Sequence, residues 1–269
     1  MKTRLFCILV ALTLARVGQS QWRLDVHVEL PNITQVSSDG NQYVYFATKS
    51  GIVHRYGLNG DYHQVFSPTR IGAVKQMDVI SQFKLLLFYE QYQEYVVLDR
   101  YLTRPTYYRL DRYPIGFAST MAVDRQNRVW VLDAGGYLLL RLDEIQGSIS
   151  ETMSLAKLFE QRDVEVQDLK FMDGYLYLVT AQNGLYVLDN FGNFISHIDV
   201  PVSANFGFYQ GNYYYQVENH LYMIDLTNGQ KTMVELPMAD GVVGLYVGEF
   251  VVMVSSKGFD IYKYLRTNK

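Results

Sequence analysis

The side chains of this sequence that could do chemistry are its acids and histidines. It holds one cysteine and shows no paired-cysteine, Gly-rich phosphate-loop or Ser-His-Asp pattern. Aspartates recur at Asp99, Asp143, Asp189 and Asp225, and others stand at Asp78, Asp124 and Asp168. Carboxylates gathered around a common axis could hold a hard cation or exchange a proton with a substrate. The five histidines, at 27, 54, 63, 197 and 220, could add imidazole ligands if the fold brought them together. Which of these groups meet depends on the elements that carry them.

Residues 175–192, YLYLVTAQNGLYVLDNFG, show what those elements are. Two β-rich runs flank the tight turn Asn183-Gly184, the second run closes with Leu188-Asp189, and Gly192 follows. The same form returns at 43–60, 129–143, 213–229 and 251–265. A hairpin unit recurring every roughly 35 to 50 residues predicts the blades of a β-propeller rather than one continuous sheet. On that frame Asp99, Asp143, Asp189 and Asp225 each close the third strand of a blade. A carboxylate there accepts hydrogen bonds from the N–H groups of the following turn, so the series points to fold and not to chemistry. Asp124, at the first turn of its blade, reads the same way. The histidines fall on outer or third strands, away from the axis. Asp78 and Asp124 read as near strand ends, which leaves Asp168 as one axial carboxylate, and one carboxylate is not a metal site. No metal, cofactor or catalytic role is therefore expected.

The chain divides into six units, at about 33–66, 73–110, 116–155, 166–200, 206–236 and 242–265. The last has only three strands. Residues 21–30, QWRLDVHVEL, alternate apolar and polar side chains as a strand does and have no hairpin partner. The expected fold is all-β, a six-bladed β-propeller occupying 21–269 whose last blade is closed by the N-terminal strand. Residues 156–165 break the β pattern with a helical turn. Trp130 alternates with Val129 and Val131 and is expected in the packing between blades. Successive side chains in Tyr213-Tyr214-Tyr215 point to opposite faces, so at least one of those rings is expected at the surface.

Residues 1–20, MKTRLFCILVALTLARVGQS, place Lys2 and Arg4 before an apolar run from Leu5 to Ala15, with Gly18 and Ser20 beyond it. This is the pattern of a secretory signal peptide. The run is short of the roughly 20 residues that span a bilayer, and no second one follows, so no transmembrane segment is expected after cleavage. Cys7 would leave with the signal, and a chain without cysteine must hold itself by burying a core. That suits the periplasm or exterior of a bacterial cell better than an animal extracellular fluid. Losing Lys2, Arg4 and Arg16 takes the formal charge from −3 to −6. There is no basic block, so a nucleic-acid partner is not expected. The 23 tyrosines are the signal of the composition, and most are expected to pack between blades.

Propellers bind at the end formed by the loops that join one blade to the next and by the loops between second and third strands. The first set contributes Arg70, Arg112, Tyr113, Arg162, Asn205 and Asp240. The second contributes Tyr92, Gln182, Asn183, Glu218 and Lys257. Arg and Tyr among polar residues is the composition of a protein-binding or sugar-binding rim.

Residues 121–143, MAVDRQNRVWVLDAGGYLLLRLD, resemble one repeat of the NHL-type six-bladed propellers, through Asp124, Asn127, Trp130, Asp133 and Asp143. Gln126 stands where that repeat carries glycine. Residues 78–99, with Phe83, Lys84, Leu86, Leu87, Phe88 and Tyr89, followed by GLYVLDNFG at 184–192, resemble an uncharacterised family of Bacteroidota envelope propellers. Ser81-Gln82 and Gln91-Tyr92 depart from its usual Asn-Pro and Asp-Phe. These resemblances imply the fold and an envelope setting and bring no activity. Lactonase-type propellers are similar in gross plan, but their axial metal ligands are not matched. The expected function is a non-enzymatic scaffold for an envelope protein, with carbohydrate or small-ligand binding as the alternative.

Overall fold

The repeated hairpins fold into six four-stranded antiparallel sheets in a computed structural model, which describes residues 21–70, 72–81, 84–124, 126–159, 164–201, 203, 205–237 and 242–265. Residues 1–20 lie outside this set, as do Arg162 and Asp240. A single strand, β1 (Trp22–Glu29), precedes the first blade, which holds β2 (Ile33–Ser38), β3 (Tyr43–Thr48), β4 (Val53–Gly57) and β5 (Tyr62–Phe66). The second holds β6 (Gln76–Ser81), β7 (Lys84–Tyr89), β8 (Glu94–Asp99) and β9 (Thr106–Arg109). The third holds β10 (Ala118–Val123), β11 (Val129–Asp133), β12 (Leu138–Asp143) and β13 (Ser148–Ser154), and a short helix, α1 (Leu155–Leu158), follows it. The fourth is β14 (Val166–Met172), β15 (Tyr175–Thr180), β16 (Leu185–Leu188) and β17 (Phe194–Ile198). The fifth is β18 (Phe206–Tyr209), β19 (Asn212–Val217), β20 (His220–Asp225) and β21 (Lys231–Glu235). The sixth has β22 (Val242–Val247), β23 (Phe250–Val254) and β24 (Gly258–Tyr264), and β1 completes it.

That completion closes the ring. β1 pairs antiparallel with β24 from Trp22 opposite Tyr264 to Glu29 opposite Gly258. The ladder is extended at its ends by Leu265 N–H to the Gln21 carbonyl (2.6 Å) and Leu30 N–H to the Lys257 carbonyl (3.1 Å). A Cβ at Gly258 would lie 2.0 Å from the Val28 carbonyl oxygen, so glycine is what lets the strand come alongside. Trp22 then crosses to the neighbouring blade, donating its Nε1–H to the Glu235 carbonyl at 2.7 Å and packing with Tyr214, Leu221 and Leu236.

The core lies between blades. Second strands such as β11, VWVLD, are buried at every residue because a neighbouring blade covers each face. Trp130 is fully buried there, against Leu139, Phe159, Leu169 and Leu178 of the third and fourth blades. Its ring also reaches the turn at Gly192 (φ +88°), where a Cβ would sit 3.1 Å away. The expectation for Tyr213–Tyr215 is corrected on the same ground. Tyr214 packs toward the sixth blade while Tyr213 and Tyr215 pack toward the fourth, and all three are buried. Alternation separates the faces of a second strand, but in a propeller both faces are interior.

The recurrent aspartates do what their position requires. Asp99 accepts from Tyr101 N–H (3.0 Å) and Thr103 N–H (2.8 Å), and Asp143 from Ile145 and Gln146. Asp189 accepts from Phe191 and Asn193, both at 2.8 Å, and Asp225 from Thr227 and Asn228. Burial would raise the carboxyls of Asp99 and Asp189, but the turn hydrogen bonds outweigh it and hold both below the usual carboxylate range.

Two outcomes follow from this packing. Removing 21–30 leaves the β24 edge unpaired, and the shortened chain is expected to lose its cooperative thermal transition or to self-associate, read by circular dichroism and size-exclusion chromatography. Trp130→Ala is expected to cost about 3–5 kcal/mol in chemical denaturation, the range for emptying a large aromatic site.

Candidate functional site

The inner strands surround an axial channel, and on one side of it five polar side chains are tied together. Gln76 on β6 reaches across the axis: its Nε2–H groups donate to the Leu169 carbonyl (3.1 Å) and to Asp78 Oδ2 (3.0 Å). Its Oε1 accepts from Thr120 Oγ1 and Met121 N, both at 3.0 Å. One glutamine thus joins the inner strands of the second, third and fourth blades. Asp78 stands inside β6 and is ion-paired with Lys170 of β14. This corrects its expected place near a strand end: the register Asp78 opposite Leu86 puts it well within the ladder. Asp124, by contrast, does lie in a turn, accepting from Gln126 and Arg128 N–H.

Asp168 faces the same channel, with Thr120 Oγ1 at 3.3 Å and Leu169 N–H at 2.9 Å. By surface area it is only half-buried, because the channel reaches it, but it sits deep in the ring. Burial pushes its carboxyl up to about 7, the charge of Asp78 adds to this, and Lys170 opposes it. For Lys170, burial works against the charged form, but contact with Asp78 prevails and raises it. The Lys170 ammonium is thus the cation of this site, supplied by the chain itself. Among the described residues no group of three His, Cys, Asp or Glu side chains is placed to hold a metal ion. The histidines lie on β1, β4, β5, β17 and β20, outer or third strands in each case.

At the loop end the channel opens into a pit of about 630 Å³. Its charged rim is Lys75, Glu90 and Glu165, and its lining includes Ser119, Tyr137 and Phe206. Ser119 and Gln167 get there by a shared device. Each is the extra residue of a bulge, since the register slips between Ala118 and Thr120 in β10 and between Val166 and Asp168 in β14. The Ser119 hydroxyl is buried with no hydrogen-bond partner. Tyr137 ties the rim together by donating its hydroxyl to the Val164 carbonyl at 2.7 Å. The lining sets the apolar side chains of Leu132, Val164, Val166 and Phe206 beside Ser119 and Gln167 and charges of both signs.

The residues expected to form the binding face scatter around this end. Arg70 and Tyr92 meet: the guanidinium lies 4.4 Å from the Tyr92 ring centroid and pairs with Glu94 at 2.8 Å. Arg112 ends a 3-10 turn, Leu110–Arg112, and is exposed. Tyr113 is half-buried against the cluster of Tyr95 and Leu110, so much of its ring belongs to the packing between blades. Gln182 is exposed, while Asn183 donates its N–H to Thr180 Oγ1 (3.0 Å) and its carbonyl accepts from His197 Nε2. Glu218 is exposed at φ +50°, and Lys257 is exposed next to the closing ladder. The Asn205 carbonyl accepts from Gln216 N–H at 2.9 Å. Loop position alone did not find Ser119, Val166, Gln167 and Phe206, because they are the first or second residues of inner strands. The irregular Ala118-Ser119-Thr120 and Val166-Gln167-Asp168 stretches were the available signal.

No protein-family model matches the chain, and no curated protein matches it by sequence. Solved structures share its fold. PorZ of Porphyromonas gingivalis, described as an essential bacterial surface component of the type-IX secretion system, aligns with TM-score 0.53 at 13% identity over 90% of this chain. The chain spans 38% of PorZ. YCF48 bound to D1 peptide aligns with TM-score 0.57 at 7% identity, over 92% of this chain and 98% of that one. A streptogramin B lyase aligns with TM-score 0.57 at 12% identity, over 92% and 88% of the two chains. A lyase beside a peptide-bound protein and a secretion component leaves activity undecided, because fold does not carry function.

The channel cluster makes a prediction by linkage. Asp168 binds its proton near pH 7 when folded and near 3.8 in the reference state, so its contribution to stability is fullest below about 4 and is lost as pH rises through 7. Asp168→Asn stays neutral throughout. The melting temperature of the variant minus that of the native protein is expected to grow as pH is raised from about 4 to 8, and a difference that stays constant would place the titrating group elsewhere.

Proposed function

We propose that this propeller is a non-enzymatic interaction scaffold of a bacterial cell envelope, exported by its N-terminal signal, which receives a partner protein at its loop end. The observation that carries the reading is the pit of about 630 Å³ at that end, walled by loops and strand ends of four blades. Leu132, Val164, Val166 and Phe206 in its lining and Lys75, Glu90 and Glu165 at its rim are a combination that suits a docked peptide segment better than a small polar substrate. Arg70 stacked on Tyr92 adds a preformed anchor of the residue types that dominate protein interfaces. The likeness to PorZ, a surface component, and to YCF48, seen with a bound peptide, supports both the setting and the kind of partner. The resemblance of residues 121–143 to an NHL-type repeat and of most of the mature chain to a family of Bacteroidota envelope propellers supports the fold and the setting. The axial carboxylates are engaged with Gln76, Thr120 and Lys170, which supports a structural role for them.

The test is an affinity capture from the cell envelope of the source bacterium. Lys75→Glu with Glu165→Lys reverses two exposed rim charges whose side chains make no hydrogen bond to other described residues. The native protein is expected to retain a partner that the folded double variant retains at least about tenfold less. Equal capture by both would remove the pit from the interface.

A further inference from the structure

At the seam where the ring closes lies a second cleft, of about 500 Å³, at the other end of the strands. Its walls are the β2–β3 and β4–β5 turns of the first blade, together with β1 and the start of β23 from the last. In an antiparallel meander these turns lie opposite the loops that form the pit, so the cleft is independent of the proposed protein-binding end.

Two half-buried rings, Tyr43 and Phe250, line it. Each is held by a cation: the Arg55 guanidinium is 4.3 Å from the Tyr43 centroid, and the Lys263 ammonium is 5.4 Å from that of Phe250. Around them stand the carboxylates of Asp25 and Asp61, the amides of Asn41 and Gln42, and the imidazole of His63. Asp25 is the extra residue of a bulge in β1, where the register slips between Leu24 and Val26, and this turns its side chain out of the strand's alternation. One of its oxygens takes Arg23 Nε at 2.6 Å, and Asp61 accepts from Asn59 Nδ2 at 2.7 Å, so each carboxylate keeps an oxygen for another donor. Glycines give the cleft its shape. A Cβ at Gly57 would fall 2.4 Å from Asn59 Oδ1, so glycine lets that side chain fold back within the β4–β5 turn, and one at Gly60 would fall 2.7 Å from Val26 Cγ1, so glycine there lets the turn lie against β1.

These features select a ligand class. A sugar hydroxyl both donates and accepts, and the cleft supplies acceptors and donors side by side. The C–H face of a pyranose is apolar, and the aromatic rings match it. The lining includes no lysine or arginine, and the nearby Arg23, Arg55 and Lys263 are engaged with Asp25 and the two rings, so an anion would face two carboxylates. The volume falls within the range for small-ligand sites, about 300–1,000 Å³. We infer that this seam cleft binds a neutral saccharide, stacked on Tyr43 and Phe250 and hydrogen-bonded by Asp25, Asp61 and Gln42.

The experiment is calorimetric titration and saturation-transfer NMR of the chain from Gln21 onward with cellobiose, maltose and diacetylchitobiose. Sialyllactose and spermidine serve as anionic and cationic contrasts. At least one neutral disaccharide is expected to bind, and Asp25→Ala with Asp61→Ala, both exposed, is expected to weaken it about tenfold or more with the melting temperature unchanged. Gln42→Ala, at another exposed position, should weaken it in the same sense. The Lys75→Glu/Glu165→Lys variant should bind the sugar as the native protein does, which keeps this result separate from the fate of the pit. Absence of binding by all three disaccharides, binding that survives the double aspartate variant, or binding of spermidine or sialyllactose in their place would overturn the assignment.

Discussion

Everything in this molecule depends on one strand pairing, that of Trp22–Glu29 with Gly258–Tyr264. A propeller blade has two large faces, and each is dry only if a neighbour stands against it. An open row of blades would leave the first and last with an apolar face in water and a free sheet edge. Pairing the two ends of the chain in one blade converts the row into a ring. It also brings the most distant parts of the sequence into contact, so the loop-closure entropy of the whole chain is offset at this one sheet.

Closure explains why the core is a ring of interblade layers rather than a central mass. Trp130, Tyr213 and Phe46 are fully buried, each in a second strand with a blade on either side. The axis itself is polar. Gln76, Thr120, Asp78, Asp168 and Lys170 satisfy one another across three inner strands, and a buried polar network of this kind is costly to leave incomplete. It fixes the relative height of the second, third and fourth blades, as the interblade packing fixes their angle. The bulges near the starts of β10 and β14 then release Ser119 and Gln167 from the ladder and turn them toward the pit.

The two ends of the ring differ in chemistry. The loop end presents a pit with apolar side chains and charges of both signs in its lining, beside the Arg70–Tyr92 stack. The turn end presents, at the closing seam, a cleft of carboxylates, amides and aromatic rings without a lysine or arginine in its lining. With this separation, the partner protein proposed for the pit and the saccharide proposed for the seam cleft would not compete for the same groups.

The blade count, the blade limits and the closing role of residues 21–30 were legible in the sequence, because they rest on local signals. A strand shows by its alternation or its apolar run, a turn by Asn-Gly or Asp-x-x-Gly, and the missing strand by simple count. The turn role of Asp99, Asp143, Asp189 and Asp225 was legible for the same reason, since each bonds only to the next few residues. What the sequence could not show is which side chains from different blades share a space. Tyr213–Tyr215 read as partly exposed because the second covering blade lies far along the chain. Asp78 read as peripheral because its partner, Lys170, is on another blade. The pit joins loops and strand ends of four blades, and the seam cleft joins the first and last. Local free energies write the strands and turns into the sequence, whereas these sites exist only once blade angle and ring closure have set the distances between remote residues.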